Sequence, residues 1–433
     1  MQQSFDKNTA HTYLLNQWVD ALDKGNVQRA IEIEFAHYNQ LVKPGEDVSL
    51  WDKWQVDTLK FRKTITEEFD KKLPLRANYD QGKPFLIVHH NYSGLAHESQ
   101  LARNLNFLRE QGIPLNFEVA YLFGGDNSAR DNAATLYKIE ASAVGFLNAT
   151  SYPDAGKRLE ALTCSRGYCT VIYPSIFQMA YWMSLFVSHG NQKFLQMKYF
   201  PLHAGRLSAW GCGRKNSSGT FRVKGCDFTQ LSVLSLSQAN VQSTASPPTD
   251  LADSQGAIYF GSISRPEKVG DSAYNQFVID MLNMHPATTY LYAGQKDKLC
   301  HIPSIVRSHP RARAIGWVNP QTIIKKYHIY LESFPWGGGD MSLLALENET
   351  PYLILNTPVN KVVGIYDFLS VISLSASPLL QFSFCDSVST LANRFSELVL
   401  NPDLRRSLGI AWSEAIRNYH PSDVDAWLSF LEN

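Results

Sequence analysis

Residues 329–342 read IYLESFPWGGGDMS. An apolar run containing one acidic residue leads into a proline-aromatic pair and three glycines, after which come Asp340 and Ser342. The apolar run is typical of a buried strand, and the segment SLLALENE behind the glycines has helical spacing. In an open parallel sheet, ligands bind beyond the carboxyl ends of the strands, where loops lead into helices. The stretch therefore predicts a strand–loop–helix unit of an α/β fold, with a ligand site in its loop.

The glycines Gly337, Gly338 and Gly339 indicate which ligand such a loop would hold. A backbone without Cβ atoms approaches a ligand closely, and N–H groups at a helix start bind phosphate oxygens with help from the helix dipole. The glycines therefore predict a diphosphate pocket, although the same run would also serve as a connector without a ligand. They form neither GxGxxG nor GxxxxGKS, so the dehydrogenase and P-loop classes lack their signatures.

Strands and helices alternate in two halves of the chain. Strand-type segments of the first half are KPFLIVHH (83–90), NFEVAYLFGG (116–125), CTVIYPSI (169–176) and KFLQMKYF (193–200). Those of the second half are AIYFGSI (257–263), TTYLYAG (288–294), RARAIGW (311–317), IYLESF (329–334) and PYLIL (351–355). Helical patterns between most of them are typical of parallel sheets covered by helices. The chain is therefore predicted to be α/β, with two Rossmann-like domains facing each other across a cleft.

Composition divides the chain further. Residues 8–70 have helical periodicity without strand signals, and ATLYKIEASAVGFL (134–147) is predicted to be helical. Residues 236–256 gather Ser, Thr, Pro and Asp, as linkers do. The predicted segments are a helical cap at 1–80, a Rossmann-like domain at 81–240, a linker at 241–256, a second Rossmann-like domain at 257–400 and helices at 401–433.

Composition and charge limit the function classes. The 433 residues are 44% hydrophobic and 12% aromatic, enough for two cores. Forty basic and 40 acidic residues cancel, so no global field attracts nucleic acid or an anionic membrane. The N-terminal stretch has no signal-type apolar run, and no later run reaches about 18 uninterrupted apolar residues. We expect a cytoplasmic protein without a nucleic-acid partner or membrane insertion; its oligomeric state is not predicted.

The cysteines show no metal or disulfide pattern. There is no CxxC pair and no repeated spacing among the six, at 164, 169, 212, 226, 300 and 385. This argues against a zinc ribbon and a secreted disulfide framework. Two interpretations stay open: reduced, mostly buried thiols, or convergence of the first four on a metal ion.

A cationic segment follows the first strand of the second half. SRPEKVGD (264–271) places Arg265 and Lys268 at the mouth of the domain that holds the glycines. A cation there would neutralise phosphate charge, whereas a lone surface Lys is commonly a solvated charge. Two phosphate-compatible elements in one domain favour a ligand site over a plain connector.

The order of these motifs resembles the donor-binding half of the O-GlcNAc transferase family of GT-B glycosyltransferases. The matching segments are SRPEK (264–268), GWVNP (316–320) and FPWGG (334–338). The nearest likeness is to the soluble bacterial adhesin N-glucosyltransferases, which use UDP-hexoses. The resemblance covers about residues 83–410 in motif order and is specific over about 255–360.

The resemblance implies an inverting transfer of a hexose from a UDP-type donor to a polypeptide side chain, without a cofactor or a metal ion. His97 matches a histidine near the acceptor and the donor phosphate, and His203 falls in a loop that reaches over the nucleotide. His97 and Lys268 are the implied catalytic residues, whereas His89 and His90 are interpreted as strand-end or core residues. The implied donor-binding residues are Arg265, Lys268, Trp336, Gly337, Gly338, Gly339, Asp340, Ser342 and His203.

Some positions depart from the family pattern. Asp340 and Met341 replace residues that hydrogen-bond the diphosphate, and Leu344 replaces a ribose-binding carboxylate, with Glu347 one helical turn away. These departures favour an alternative, a catalytically silent protein that binds sugar nucleotides or a partner. A second alternative is transfer to a glycan, lipid-linked saccharide or small molecule. The chain lacks a tetratricopeptide array, which leaves acceptor recognition to residues 1–80 or to the cleft.

Overall fold

A computed structural model describes residues 6–42, 48–77, 80–92, 96–175, 177–196, 205–212, 228–231, 256–294, 308–335, 337, 339–357, 366–419 and 424–432. The chain forms two compact units, Met1–Ser235 with Pro421–Asn433 (unit 1) and Leu236–His420 (unit 2). The predicted linker at 241–256 follows the first boundary, and Gly256 is its one described residue. The predicted last segment, 401–433, is shared between the units. The bounds of the predicted domains stay predictions.

Unit 1 begins with three helices, which confirms the predicted helical segment at the start of the chain. They are α1 (Lys7–Asp23), α2 (Val27–His37), which continues into a π-helical turn (Tyr38–Val42), and α3 (Val48–Lys72). The side chain of Asp6 caps α1, and that of Asn26 caps α2 by accepting from Arg29 N. In the structure, we use the name helical cap for α1, α2 with its π-helical turn, and α3.

A parallel sheet forms the centre of unit 1, with the strand order β3-β2-β1-β4-β5-β6-β7. Its elements are β1 (Phe85–His89), α4 (Ala96–Glu110), β2 (Phe117–Tyr121), α5 (Asn127–Tyr137), β3 (Val144–Phe146), α6 (Tyr152–Arg166), β4 (Val171–Ser175), α7 (Phe177–Phe186), β5 (Gln192–Gln196), β6 (Ala209–Cys212) and β7 (Phe228–Gln230). The winding direction reverses between β1 and β4, which are neighbours in the sheet.

Residues 134–147 are not helical throughout, so the prediction for this segment is wrong. Helix α5 ends at Tyr137 because Lys138 takes a left-handed conformation with φ 50°. Val144, Gly145 and Phe146 then pair with β2 as the short strand β3. Strands β6 and β7 carry too few residues to produce the alternation by which strands are recognised in a sequence.

A buried ion pair joins the helical cap to helix α7 of unit 1. Glu34 of α2 and Arg62 of α3 are both fully buried and form this pair. Glu34 also accepts a hydrogen bond from Trp182 Nε1 of α7 at 2.9 Å. The Arg62 guanidinium lies 4.5 Å from the ring centroid of Tyr181, also in α7. Because the charges are desolvated, these contacts to α7 are needed to satisfy them.

Unit 2 contains a second parallel sheet, with the strand order β10-β9-β8-β11-β12-β13. Its elements are β8 (Ile258–Ile263), α8 (Pro266–Val269), α9 (Ser272–Met284), β9 (Thr288–Ala293), β10 (Ala312–Ala314), α10 (Pro320–Ile323), β11 (Ile329–Leu331), α11 (Asp340–Glu347), β12 (Tyr352–Leu355), α12 (Tyr366–Ala376), β13 (Phe384–Cys385), α13 (Val388–Leu400) and α14 (Pro402–Arg417). This is the doubly wound order, with its switch point between β8 and β11. The predicted α/β class with two Rossmann-like domains is confirmed.

The last helix, α15 (Val424–Glu432), belongs to unit 1. Its Trp427, Phe430 and Leu431 are part of the hydrophobic core that includes residues of β1 and β2. Lys193 of β5 is almost fully buried, and its Nζ donates to the carbonyl of Phe430. A cation is stabilised there because the carboxyl end of a helix carries partial negative charge.

Because of two neighbouring histidines in the helical cap, we expect the folded protein to be less stable in acid. His37 Nε2 lies 3.0 Å from His11 Nδ1, and His11 Nε2 lies 2.9 Å from Asp57 Oδ2. Burial, and then the neighbouring His11, lower the pKa of His37 from 6.5 to about 3. Between pH 6.5 and about 3, His37 is therefore protonated in the unfolded chain but neutral in the folded chain. The free energy of unfolding therefore falls as the pH drops below 6.5.

We expect His37→Phe to reduce this acid dependence, because Phe keeps a ring against Trp54, whose centroid lies 4.1 Å from that of His37, and removes the titrating group. The slope attributable to His37 is at most about 1.4 kcal/mol per pH unit. Urea unfolding of both proteins at several pH values between 7 and 4.5 measures it. Equal slopes in the wild type and in His37→Phe would contradict the assignment.

Candidate functional site

The carboxyl ends of β8 and β11 locate the candidate site in unit 2. These strands pair in parallel, with Ile329 beside Phe260 and Tyr330 beside Gly261. The chain leaves β8 toward α8 and leaves β11 through the glycine turn, which we define as residues 332–339. Doubly wound sheets bind ligands at this reversal of strand order because the two loops diverge and leave an open crevice.

Lys268 joins the two loops. It lies in α8, its side chain is half-buried, and its Nζ donates to the carbonyl oxygen of Gly337 at 2.5 Å. The structure thus brings together two residues that the sequence analysis placed in one domain without a contact. Arg265 precedes α8 and is also half-buried. The site therefore has a cation held against the backbone of the glycine turn.

Glu332 is a polar residue of this site that the sequence analysis passed over. It directly follows β11 and is only 2% exposed. Its Oε2 accepts from Tyr352 OH at 2.9 Å and from Ser342 Oγ, and its Oε1 accepts from Ser333 N at 3.2 Å. Burial, and then the negative charge of Glu332, raise the pKa of Tyr352 well above its ordinary value, so this hydroxyl keeps its proton. The one acidic residue in the run IYLESF was the available sequence signal.

Gly337 has a packing role beside Glu332. A Cβ built on Gly337 would lie 2.6 Å from Cγ of Glu332 and 2.8 Å from its Cδ, distances that real Cβ contacts do not show. The Glu332 side chain cannot readily move aside because its carboxylate is hydrogen-bonded. At this position, therefore, the glycine is required by a neighbouring side chain of the same chain.

The rest of the turn leads into α11. Gly339 occupies the N-cap position, and Asp340 stands in the first turn, where a negative charge is favourable toward the helix dipole. Ser342 is fully buried, with its hydroxyl on Glu332. Leu344 is also fully buried in α11, whereas Glu347 is half-buried. Trp336 and Gly338, which the sequence analysis places in the donor site, lie outside the described residues.

In unit 1, the first turn of α4 lies just past β1, at the switch point of that sheet. His97 belongs to this turn, but its side chain is not among those described, and His203 lies outside the described residues. The next residue, Glu98, is buried and accepts from Tyr121 OH at the end of β2. Glu98 is not recognisable as a buried residue from the sequence, because a charged residue in a helix is expected to face solvent.

His89 and His90 have structural partners, as the sequence analysis interprets them. His89 is buried, with its Nε2 2.6 Å from Tyr137 OH, and His90 Nε2 lies 2.9 Å from Tyr152 OH. Burial lowers the pKa of both histidines. Among the cysteines with a described environment, Cys164 is exposed and Cys169 and Cys385 are buried free thiols. Within the described residues, no group of three or more His, Cys, Asp or Glu is placed to hold a metal ion.

Comparison with known proteins supports the fold. No family model matches this sequence, and a search of curated proteins finds no match. An O-GlcNAc transferase mutant of Thermobaculum terrenum is similar in structure over 99% of this chain and 97% of its own, with a TM-score of 0.55 and 11% identity. A glycosyltransferase from Rickettsia africae covers 80% of this chain and 97% of its own, with a TM-score of 0.54 and 9% identity.

A third similar structure is a TarM mutant of S. aureus, determined in complex with fondaparinux, alpha-GlcNAc-glycerol and UDP. It covers 81% of this chain and 100% of its own, with a TM-score of 0.53 and 10% identity. These likenesses confirm the predicted GT-B fold with a helical N-terminal segment. Among the described residues, no helix has the length and apolar character required to cross a membrane.

We expect Gly337→Ala to destabilise unit 2 by about 1–3 kcal/mol, the range for overpacking a core. The cost should be smaller in a Glu332→Ala background, because the obstructing side chain is then absent. Calorimetric melting of the four members of this double-mutant cycle measures the coupling. Gly145→Ala is the matched control, since the nearest atom to its Cβ lies 4.0 Å away. Additive effects of Gly337→Ala and Glu332→Ala would contradict the packing role.

Proposed function

We propose that this chain is a glycosyltransferase that moves a hexose from a nucleotide-diphosphate donor to a polypeptide side chain. One observation carries the proposal: Lys268 is hydrogen-bonded to the glycine turn at the switch point of the doubly wound sheet of unit 2. A cation and a turn leading into a helix, at the position where such sheets bind nucleotides, suit a diphosphate. The fold is one in which known glycosyltransferases are built.

UDP is the proposed nucleotide. The similar TarM structure contains UDP, and the motif resemblance implies a UDP-hexose donor. Lys268 would neutralise the diphosphate, and the backbone N–H groups at the start of α11 would add hydrogen bonds. Gly339, Asp340 and Arg265 line the same loops and are proposed donor contacts. The proposed roles of Trp336, Gly338 and His203 rest on the motif resemblance alone.

Transfer of a hexose requires mainly that the enzyme stabilise the negative charge that forms on the leaving diphosphate. As the bond between the sugar and the diphosphate breaks, negative charge builds on the leaving phosphate, and a positioned ammonium lowers the energy of that state. In an inverting reaction the acceptor attacks from the opposite face and loses a proton. His97 is the proposed acceptor-side group, since a histidine commonly titrates near neutrality and its helix begins at the switch point of unit 1.

One alternative is favoured by specific observations. Leu344 replaces the carboxylate that the motif resemblance leads one to expect, and its full burial in α11 keeps it from a ligand. Asp340 stands where a phosphate would be repelled. A protein that binds sugar nucleotides without transferring the sugar would tolerate both. Incubation with UDP-hexoses separates the two functions: the enzyme releases UDP slowly without acceptor, and the silent protein releases none.

We expect Lys268→Ala to reduce hexose transfer by about two orders of magnitude, the scale for losing one group that stabilises developing charge. The exposed Lys325, also in unit 2, provides the matched control Lys325→Ala, which should keep wild-type activity. The readout is UDP release together with mass-spectrometric detection of hexose on a co-expressed protein. Wild-type turnover in folded Lys268→Ala would remove this lysine from the site.

We also expect transfer to proceed without a divalent metal, because Lys268 and backbone amides supply the positive charge in this proposal. Activity should survive EDTA and show no gain when Mg²⁺ or Mn²⁺ is added. Asp340 is the residue that tests this expectation, since a carboxylate in this position would hold a metal against phosphate. Loss of activity in EDTA, restored by Mg²⁺ in the wild type but not in Asp340→Ala, would show that the donor model is wrong.

A further inference from the structure

Glu332 connects three separate segments of unit 2. Its carboxylate accepts from the backbone of the glycine turn at Ser333, from α11 through Ser342 and from β12 through Tyr352. We infer that Glu332 is a positioning residue that sets the geometry of the glycine turn and, through Gly337, the location of the Lys268 ammonium. The significance of that location for catalysis rests on the proposed function.

The energetics of burial distinguish this carboxylate from a space-filling group. Glu332 is 2% exposed, and removing a carboxylate from water carries a large penalty unless hydrogen bonds replace those to water. Hydrogen bonds to an ionised acceptor are short, strong and directional. The donors at Ser333, Ser342 and Tyr352 therefore orient the Glu332 carboxylate and link the strand end, the turn and the helix.

Gly337 transmits this geometry to Lys268. One side of Gly337 faces Glu332 so closely that no Cβ fits, and its carbonyl oxygen accepts from Lys268 Nζ at 2.5 Å. A shift of the Glu332 side chain would therefore displace the carbonyl that holds the ammonium. A lysine ammonium has three N–H donors, so this contact is compatible with a phosphate as a further acceptor. The lysine side chain is thereby ordered before a donor arrives, which lowers the entropic cost of binding.

Conservative variants test the inference while keeping a side chain of similar shape at position 332. Ser342→Ala and Tyr352→Phe each remove one donor to Glu332 Oε2, and Glu332→Gln removes the charge with little change in shape. Tyr290→Phe is the matched control, because Tyr290 is another fully buried tyrosine of the same sheet whose hydroxyl contacts Tyr274 rather than Glu332. Ser342→Ala, Tyr352→Phe and Tyr290→Phe each remove a hydroxyl from the same core, and Glu332→Gln replaces a buried carboxylate with an amide, so all four should lower the melting temperature of unit 2.

Two readouts separate positioning from general stability. The first is hydrogen exchange of peptides spanning residues 332–343 in protein without ligand, where we expect about tenfold faster exchange in Ser342→Ala and Tyr352→Phe than in Tyr290→Phe. The second is calorimetric titration with UDP, where we expect dissociation constants about tenfold higher in these two variants and unchanged in Tyr290→Phe. In Glu332→Gln we expect a reduced kcat, since the Lys268 ammonium is then misplaced during the reaction.

Each outcome decides one question. Faster exchange of the turn together with weaker UDP binding, confined to the variants around Glu332, supports the inference. Exchange of the turn that matches Tyr290→Phe overturns it, whatever the UDP affinity. A wild-type protein that binds no UDP rejects the proposed function, while the exchange measurement still decides whether Glu332 holds the turn. If Tyr352→Phe and Tyr290→Phe lose the same amount of UDP affinity, Glu332 contributes to the stability of the core but does not position Lys268, and the inference is wrong.

Discussion

The reversal of winding direction between β8 and β11 is the constraint on which the candidate site depends. Lys268 and Gly337 are 69 residues apart in the chain, and they meet because their strands are neighbours in the sheet, about 4.8 Å apart. Had the strands been ordered as they occur in the sequence, β9 and β10 would separate them. The order of the strands thus brings the two loops together, and the residues of these loops provide the charges and hydrogen-bonding groups of the site.

Buried tyrosine hydroxyls form a polar layer within the sheet of unit 2. Tyr274 OH lies 2.7 Å from Ser262 Oγ, and Tyr327 OH donates to the carbonyl of Leu291 at 3.1 Å. Burial raises the pKa of both tyrosines, so their hydroxyls stay protonated and serve as hydrogen-bond partners. These contacts satisfy polar atoms inside an otherwise apolar sheet. Glu332, which is hydrogen-bonded to Tyr352 of the sheet and to Ser333 of the glycine turn, adds a further buried polar group at the end of the sheet.

The sequence predicts the fold better than it predicts the site. The apolar run FLIV (85–88) of β1 is recognisable alone, because burial on both faces of the sheet leaves these four positions to apolar residues. Strand β3 has three residues, too few for a pattern. The glycine turn and Lys268 stood out by residue type, but whether they touch depends on sheet order. Glu332 and Glu98 were missed because only the folded chain shows that a charge has buried donors beside it.

The return of α15 to unit 1 has a consequence for folding during synthesis. Trp427 and Phe430 fill part of the core that β1 and β2 begin, although more than 300 residues of chain separate them. A nascent chain therefore has all of unit 2 available to fold before the core of unit 1 is complete. Until α15 leaves the ribosome, the core of unit 1 lacks Trp427, Phe430 and Leu431. A chaperone that binds apolar surface would therefore have the longest time to bind the half of the protein that is synthesised first.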